Sequence, residues 1–523
     1  YSNWVSSTTL SYNKTFADKH VLSALVGFEA EERDTEFIRA TGTFLPTSTL
    51  QTVSTAGVLD ANSYSWGSSM ASVLSRVEYS YDSRYYLSGS YRRDGSSRLS
   101  PEARWGNFWS VSGAWRINNE NFLKDAEWIS NLRLRASYGV NGTLPSDNYG
   151  WRSLVGYTYP YNGSPGGLLT NVANESLSWE TNYTANVALE FGFFNQRLYG
   201  TIEWFNRDSK DLLQDVPIST ITGFGSTLRN IGEINNKGWE IEIGGDIIQT
   251  EDVTWSASLT ASMIKSKVTK LYDGQDIIWY DPTGSDSRCQ YLYREGESTL
   301  AYYGYEWAGV DPATGQSVYY VNEMDESGNI DPAAGGDFMY NGRAATYEYG
   351  KANEVILGDA NPKIYGGINT DVTWKGITLG LNFIYRLGAT LYDAAEKDVD
   401  DDGYYWERIR SERVAENRWT SPGQNTVIPQ IRGIDLEDAI QISSRHLHTG
   451  DFLRLKNITL SYNFPKALVN KIGLGSARVY FNGQNLLTWS AFNEVDPEVN
   501  IYGTRGWETP IGKTYTFGLE FTF

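Results

Sequence analysis

The 523-residue sequence holds a single cysteine and three histidines, and it has no uninterrupted apolar run near the roughly 18 residues that carry a helix across a bilayer. Cys289 alone can form neither an internal disulfide nor a cysteine-based zinc site. Of the histidines, His446 and His448 share a face if the chain is extended, but spacing fixes no third ligand beside them, and loop-surface polarity is the plainer reading. A Lys/Arg-dense stripe is also missing. With 44 basic against 63 acidic residues the net charge is −19, which repels phosphate backbones and sets nucleic-acid binding aside. The sequence opens at Tyr1 without an initiator Met, a basic n-region or an apolar h-region, so any secretory signal is expected to have been removed or to lie in a missing N-terminal part.

What is present in quantity is aromatic: 18 Trp, 36 Tyr and 20 Phe, far more than a disordered chain carries. They recur with a period of two. Tyr515, Phe517, Leu519, Phe521 and Phe523 alternate with Thr514, Thr516, Gly518, Glu520 and Thr522. Leu132, Leu134, Ala136 and Tyr138 alternate with Arg133, Arg135, Ser137 and Gly139, and Ile377, Leu379, Leu381, Phe383 and Tyr385 repeat the pattern. Helical periodicity is almost absent. The pattern predicts fifteen strands, near 4–12, 20–32, 68–81, 84–93, 107–117, 131–140, 181–191, 197–207, 237–248, 252–266, 363–374, 376–388, 451–463, 476–488 and 514–523. Each is about ten residues, the length that crosses a bilayer when tilted.

Alternation alone fits a soluble sandwich as well as a barrel, because both have one apolar and one polar face. Connection length separates them. Tight links such as Asp82-Ser83, 192–196, 249–251 and Lys375 take turns with long ones at 33–67, 141–180, 208–236, 267–362, 389–450 and 489–513. That parity predicts an all-β fold, a transmembrane antiparallel up-and-down barrel with short periplasmic turns and long extracellular loops. Counting fifteen strands back from a periplasmic last strand puts Tyr1 outside, and an open edge is not tolerated in lipid, so the chain is expected to be the C-terminal part of a larger barrel.

Several segments resemble the SusC/RagA-type TonB-dependent outer-membrane transporters of Bacteroidetes: Asn131 to Gly142 (NLRLRASYGVNG), Leu228 to Ile243 (LRNIGEINNKGWEIEI), Tyr302 to Gly315 (YYGYEWAGVDPATG), Asn361 to Asp393, Phe452 to Trp489 and the final YTFGLEFTF. The resemblance implies a 22-stranded barrel with these as its last fifteen strands. The family's signal peptide, TonB-contacting segment and plug have no counterpart in the sequence. It further implies outer-membrane localisation, coupling to the TonB complex, a SusD-like lipoprotein acting as an extracellular lid, and import of oligosaccharides or, in some members, oligopeptides. A siderophore or cobalamin receptor, an outer-membrane enzyme and a secreted carbohydrate-binding protein are the competing readings. The enzyme would need a nucleophile and base that the sequence does not supply.

Transport needs binding surfaces rather than a nucleophile. Trp279, Tyr280, Tyr291, Tyr293, Tyr404, Tyr405 and Trp406 cluster in the long loops, where ring faces can stack on sugar rings and nearby carboxylates can accept hydroxyl hydrogen bonds. Packing of the loops themselves would use the same residues. Arg133 and Arg135, on the polar face of their strand, are expected to line the lumen, since arginine facing lipid at mid-depth costs about 2 to 4 kcal/mol. Asp398, Asp400 and Asp402, followed by Gly403, match the first half of a calcium loop, but Ile409 stands where the closing glutamate belongs, and a solvated acidic turn is the alternative. No other cofactor is expected. Residues 272–362 carry 16 acidic against 4 basic side chains and 389–450 carry 12 against 7, so these loops hold most of the negative charge.

Overall fold

The computed structural model describes residues 1–284, 286, 288–325, 327, 329–433, 437–492 and 495–523. Fifteen long strands dominate them: β1 (Ser2–Phe16), β2 (His20–Thr43), β3 (Val58–Tyr81), β4 (Tyr85–Ser96), β5 (Trp105–Arg116), β6 (Ile129–Thr143), β7 (Glu180–Phe193), β8 (Leu198–Pro217), β9 (Ser226–Gln249), β10 (Val253–Lys270), β11 (Ile364–Trp374), β12 (Ile377–Leu387), β13 (Phe452–Asn463), β14 (Ser476–Ser490) and β15 (Thr514–Thr522). Each coincides with an expected strand. Hydrogen-bonded neighbours follow chain order through the whole sheet, the up-and-down connectivity that the loop parity predicted.

Strand length is where expectation and structure part. β2 and β3 run 24 residues each and stay in register from His20↔Tyr81 to Thr43↔Val58, so most of the expected loop 33–67 is paired strand. In the same way β8 and β9 leave only 218–225 of the expected loop 208–236. The reason is that apolar alternation is demanded only where one face meets lipid. Beyond that zone β2 carries Glu31, Glu32, Arg33, Asp34, Glu36 and Arg39, its backbone ladder persists, and Phe37 stacks on Tyr64 at 4.9 Å.

The tight turns at 82–83, 194–196 and 375–376 are built on left-handed backbone. Asp82 and Ser83 both have φ of 50°, and Lys375 and Gly376 have φ of 46° and 89°, the positive values of the type I′ turn whose twist matches flanking antiparallel strands. A side chain at position 376 would also bring its Cβ to 2.9 Å from the Asn463 carbonyl oxygen, so glycine is required there on two counts.

The contacts divide the chain into two compact units. The first, residues 1–126, 131–189 and 205–234, includes most of β1 to β6. Here the apolar face is the exposed one: Leu87, Val111 and Tyr138 are 59 %, 55 % and 44 % exposed. The opposite face is cross-linked by hydroxyls, Ser88 to Ser112 at 2.7 Å and Ser90 to Ser110 at 2.6 Å. A water-soluble sandwich inverts this arrangement, burying apolar rows and wetting polar ones. The unit's own apolar core, Leu99, Phe108, Leu177 and Trp179 with Trp151 and Leu228 against it, lies instead under the connections.

The second unit, residues 127–130, 190–204 and 235–523, repeats the theme in β10 to β15. Trp255, Leu259, Ile368, Leu460, Phe517 and Leu519 are exposed, while Asn382 donates to Asn369 and Asn482 donates to Asn457 along the polar side. Its buried core lies in the long connections, which fold into two four-stranded sheets and one three-stranded sheet.

Candidate functional site

In the second unit the connection between β10 and β11 forms an antiparallel sheet from Ile277–Tyr280, Gln290–Tyr293, Ala301–Gly304 and Val355–Asp359. Alternation decides which aromatic enters its core. Trp279 stacks on its cross-strand partner Tyr291 at 4.4 Å, Tyr291 stacks on Tyr302 at 5.1 Å, and Tyr302 leads to Tyr392. Tyr291, Tyr302 and Tyr392 are completely buried, and both Tyr291 and Tyr302 donate to the Tyr502 carbonyl, at 2.7 and 3.2 Å. Burial pushes all three phenols up, so they remain neutral donors.

This corrects one expected substrate contact. Tyr291 has no exposed surface and is the keystone of loop packing, because ring burial and a satisfied hydroxyl suit an enclosed core. Trp279 is half-buried against it, and Tyr293 is half-buried against Trp279. Tyr280, on the other face of the same strand, is 56 % exposed. Tyr404 and Tyr405 meet edge to face at 4.8 Å with Arg408 over the Tyr405 ring, and Trp406 projects outward with 73 % of its surface exposed. Tyr280 and Trp406 are therefore the aromatics of this set best placed to meet another molecule.

The acidic run lies on and after helix α1 (Ala394–Val399). Asp400, Asp401 and Asp402 are buried, and Asp398 is half-buried. Asp400 accepts from Ser411 Oγ and from Arg413, Asp402 takes both arms of Arg445 at 2.8 and 2.9 Å, and Asp393 takes Arg505 at 2.6 Å. Asp398 is held by Arg408 at 3.1 Å and by the Trp507 indole at 3.2 Å. Asp398, Asp400 and Asp402 are thus each turned to a different cation rather than to a common centre, and among the described residues no group of three His, Cys, Asp or Glu side chains is arranged to hold a metal.

Glu396, which the sequence did not single out, joins both histidines. His448 Nε2 is hydrogen-bonded to its carboxylate, His446 Nδ1 lies 3.8 Å away, and Arg413 reaches the other oxygen. Burial raises the Glu396 carboxyl, but the two imidazoles outweigh it and hold it well below the usual carboxylate range. His446 is itself fully buried, and burial pulls its imidazole below 6.5 despite the attraction of Glu396. Arg445 and Arg505 reach the acidic run from segments remote in sequence, and only the charge density of 393–413 hinted at Glu396 and Arg413.

In the first unit Arg133 and Arg135 occupy the face that Ser88 and Ser112 share, and together they line a recess of about 540 Å³ that includes Glu78 and Ser137. Arg133 stands opposite Arg116 across the strand pair, and both guanidinium groups lie over the Tyr86 ring, at 5.7 and 6.0 Å. Leu134 between them points to the exposed apolar face.

An antiparallel sheet with apolar rows outward and polar rows linked by hydrogen bonds defines a membrane β-barrel protein. The chain belongs to the family described as TonB dependent receptor-like, beta-barrel, which it matches over residues 1–486. It is 31 % identical to TonB-dependent receptor P3 of Formosa agariphila, across all of this chain and 52 % of that protein. It is 28 % identical to TonB-dependent receptor SusC of Bacteroides thetaiotaomicron, across 90 % of this chain and 45 % of that one. Among solved structures, the RagAB peptide transporter superposes with a TM-score of 0.83 at 27 % identity, covering all of this chain and 55 % of its counterpart. The chain spans about half the length of the curated relatives it matches. The SusC/RagA-type resemblance and the outer-membrane location are thereby established.

Proposed function

We propose that the protein is the C-terminal barrel portion of a TonB-dependent active importer of oligomeric nutrients, working with a SusD-like surface lipoprotein as its lid. The observation that carries this is the family match over residues 1–486 on a sheet whose apolar face is exposed. In this reading the missing half of the protein supplies the plug, the TonB-contacting segment and the strands that pair with β1 and β15, bringing the barrel to 22. The binding work falls to loops and polar walls, and the protein is not an enzyme.

Oligosaccharide is the favoured cargo, because exposed Tyr280 and Trp406 beside carboxylate-rich loops offer the stacking and acceptor chemistry that sugar rings use. Oligopeptide is the second reading, favoured by the likeness to the RagAB peptide transporter. For the lid, exposed Trp406, Ile409, Ile501 and Trp507 supply apolar surface on loops tied together through Asp398. Deletion of the gene should abolish growth on one oligomeric nutrient while leaving growth on its monomer intact. Unchanged growth on all oligosaccharides and oligopeptides tried would remove the importer reading. Purification in mild detergent should co-purify one lipoprotein in constant ratio.

A further inference from the structure

A cavity of about 750 Å³ opens in the first unit, among the connection 144–179, the distal end of β3 and the tip of the β8–β9 hairpin. Its volume is that of a small-molecule site. The aromatic residues Trp66, Tyr149 and Phe224 line it together with Asp147 and Asp215, both exposed, and with Asn148.

The walls are held in place. Tyr149 OH accepts from the Gly67 N–H at 3.0 Å and donates to the Gly67 carbonyl at 3.3 Å, fastening the connection to β3. Asn171 closes the 152–171 clip by accepting from the Leu154 N–H at 2.8 Å and donating to the Arg152 carbonyl at 2.7 Å. Asn174 donates to the Leu228 carbonyl at 2.7 Å, and Leu228 packs on the unit's buried core, so the floor is rigid as well.

We infer that this cavity binds a cationic, hydrogen-bond-donating group, an ammonium or guanidinium carried by the imported oligomer. Two features converge. Aromatic faces attract cations through their quadrupole. Two carboxylates compensate a positive charge and would be desolvated at a cost by a neutral or anionic occupant. A basic oligopeptide and an oligomer of amino sugars present the same chemistry. The inference rests on the importer reading and narrows its cargo.

Binding to the full-length protein in detergent tests it, with four probes in two matched pairs: the glucosamine tetramer against its N-acetylated form, and trilysine against trialanine. The cationic member of at least one pair should bind at least about tenfold more tightly than its neutral partner. The pair that responds tells the sugar source from the peptide source. Asp147→Asn combined with Asp215→Asn should erase that preference, whereas Glu348→Gln with Glu416→Gln, which removes equal charge from exposed positions elsewhere, should keep it. Equal binding of neutral and cationic probes, or loss of preference in both double variants, would overturn the inference, the latter showing only a diffuse acidic field. Should the first double variant misfold, judged by loss of heat-resistant mobility on a gel, Asp215→Asn alone replaces it and should weaken the cationic probe alone. Nutrient uptake that depends on the gene without a charge preference would sink this inference and leave the importer reading standing.

Discussion

At the scale of single residues, the loop core of the second unit depends on a few buried polar groups. Tyr291→Phe removes one hydroxyl from the Tyr502 carbonyl and should cost about 1 kcal/mol, whereas Tyr291→Ala also opens a ring-sized cavity and should cost about 3 to 5 kcal/mol. Hydrogen exchange of residues 290–303 reads both, and equal protection in the two variants would show that the ring does not anchor the sheet. His446 makes the same core sensitive to acid. Its folded imidazole titrates below 6.5, so below that pH the opened segment takes up a proton that the closed one refuses. Stability is therefore present above about pH 6.5 and falls as pH falls. Glu396, also depressed, adds a loss of the same sign at lower pH, below the ordinary carboxylate range of about 4.5. Glu396, His448, Arg413, Arg445 and Asp400 all crowd this site. Exchange of 444–449, corrected for intrinsic rate, should speed up between pH 7.5 and 5.5 in the native protein and stay level in His446→Gln.

At the scale of elements, the strands were legible and their extensions were not. Rows such as Tyr515 to Phe523 announce themselves because lipid demands an apolar residue at every second position. The outer reaches of β2 and β3 carry no such demand, so their sequence resembles a loop although the backbone ladder continues. The acidic turn at 398–403 misled for a related reason. Its charges look solvated until Arg413 folds back on Asp400 and Arg445 arrives on Asp402 from a remote segment, and no local pattern records either contact. Tyr291 was noticed as an aromatic, but alternation within a four-residue strand could not reveal which face another sheet would cover. Lipid-facing rows give the sharpest test. Val111→Arg should destabilise the barrel by about 2 to 4 kcal/mol near mid-depth, while Ser112→Arg on the polar face should be tolerated. Folding into vesicles with urea titration distinguishes them, and equal losses would refute the assignment of faces.

At the scale of the whole molecule, charge and greasiness are distributed by function. The barrel strands show apolar rows to their surroundings, and the loops concentrate acid: 16 acidic residues against 4 basic ones in 272–362. Trp406 and Trp507, in two other connections joined through Asp398, present exposed rings. If a lipoprotein lid closes on them, Trp406→Ala with Trp507→Ala should lower its recovery in a mild-detergent pull-down by about tenfold without altering the amount of barrel in the membrane. Undiminished recovery would place the lid elsewhere.

The β2–β3 hairpin has a practical use. Its strands are more than twice as long as the eleven-residue β11 and β12, and its connection, 44–57, is exposed along nearly its whole length. An epitope inserted after Ser48 sits at the tip of that ladder, where it disturbs no strand pairing. Antibody binding to intact cells would then report which side of the membrane the hairpin occupies, and so orient every other connection by parity from one label.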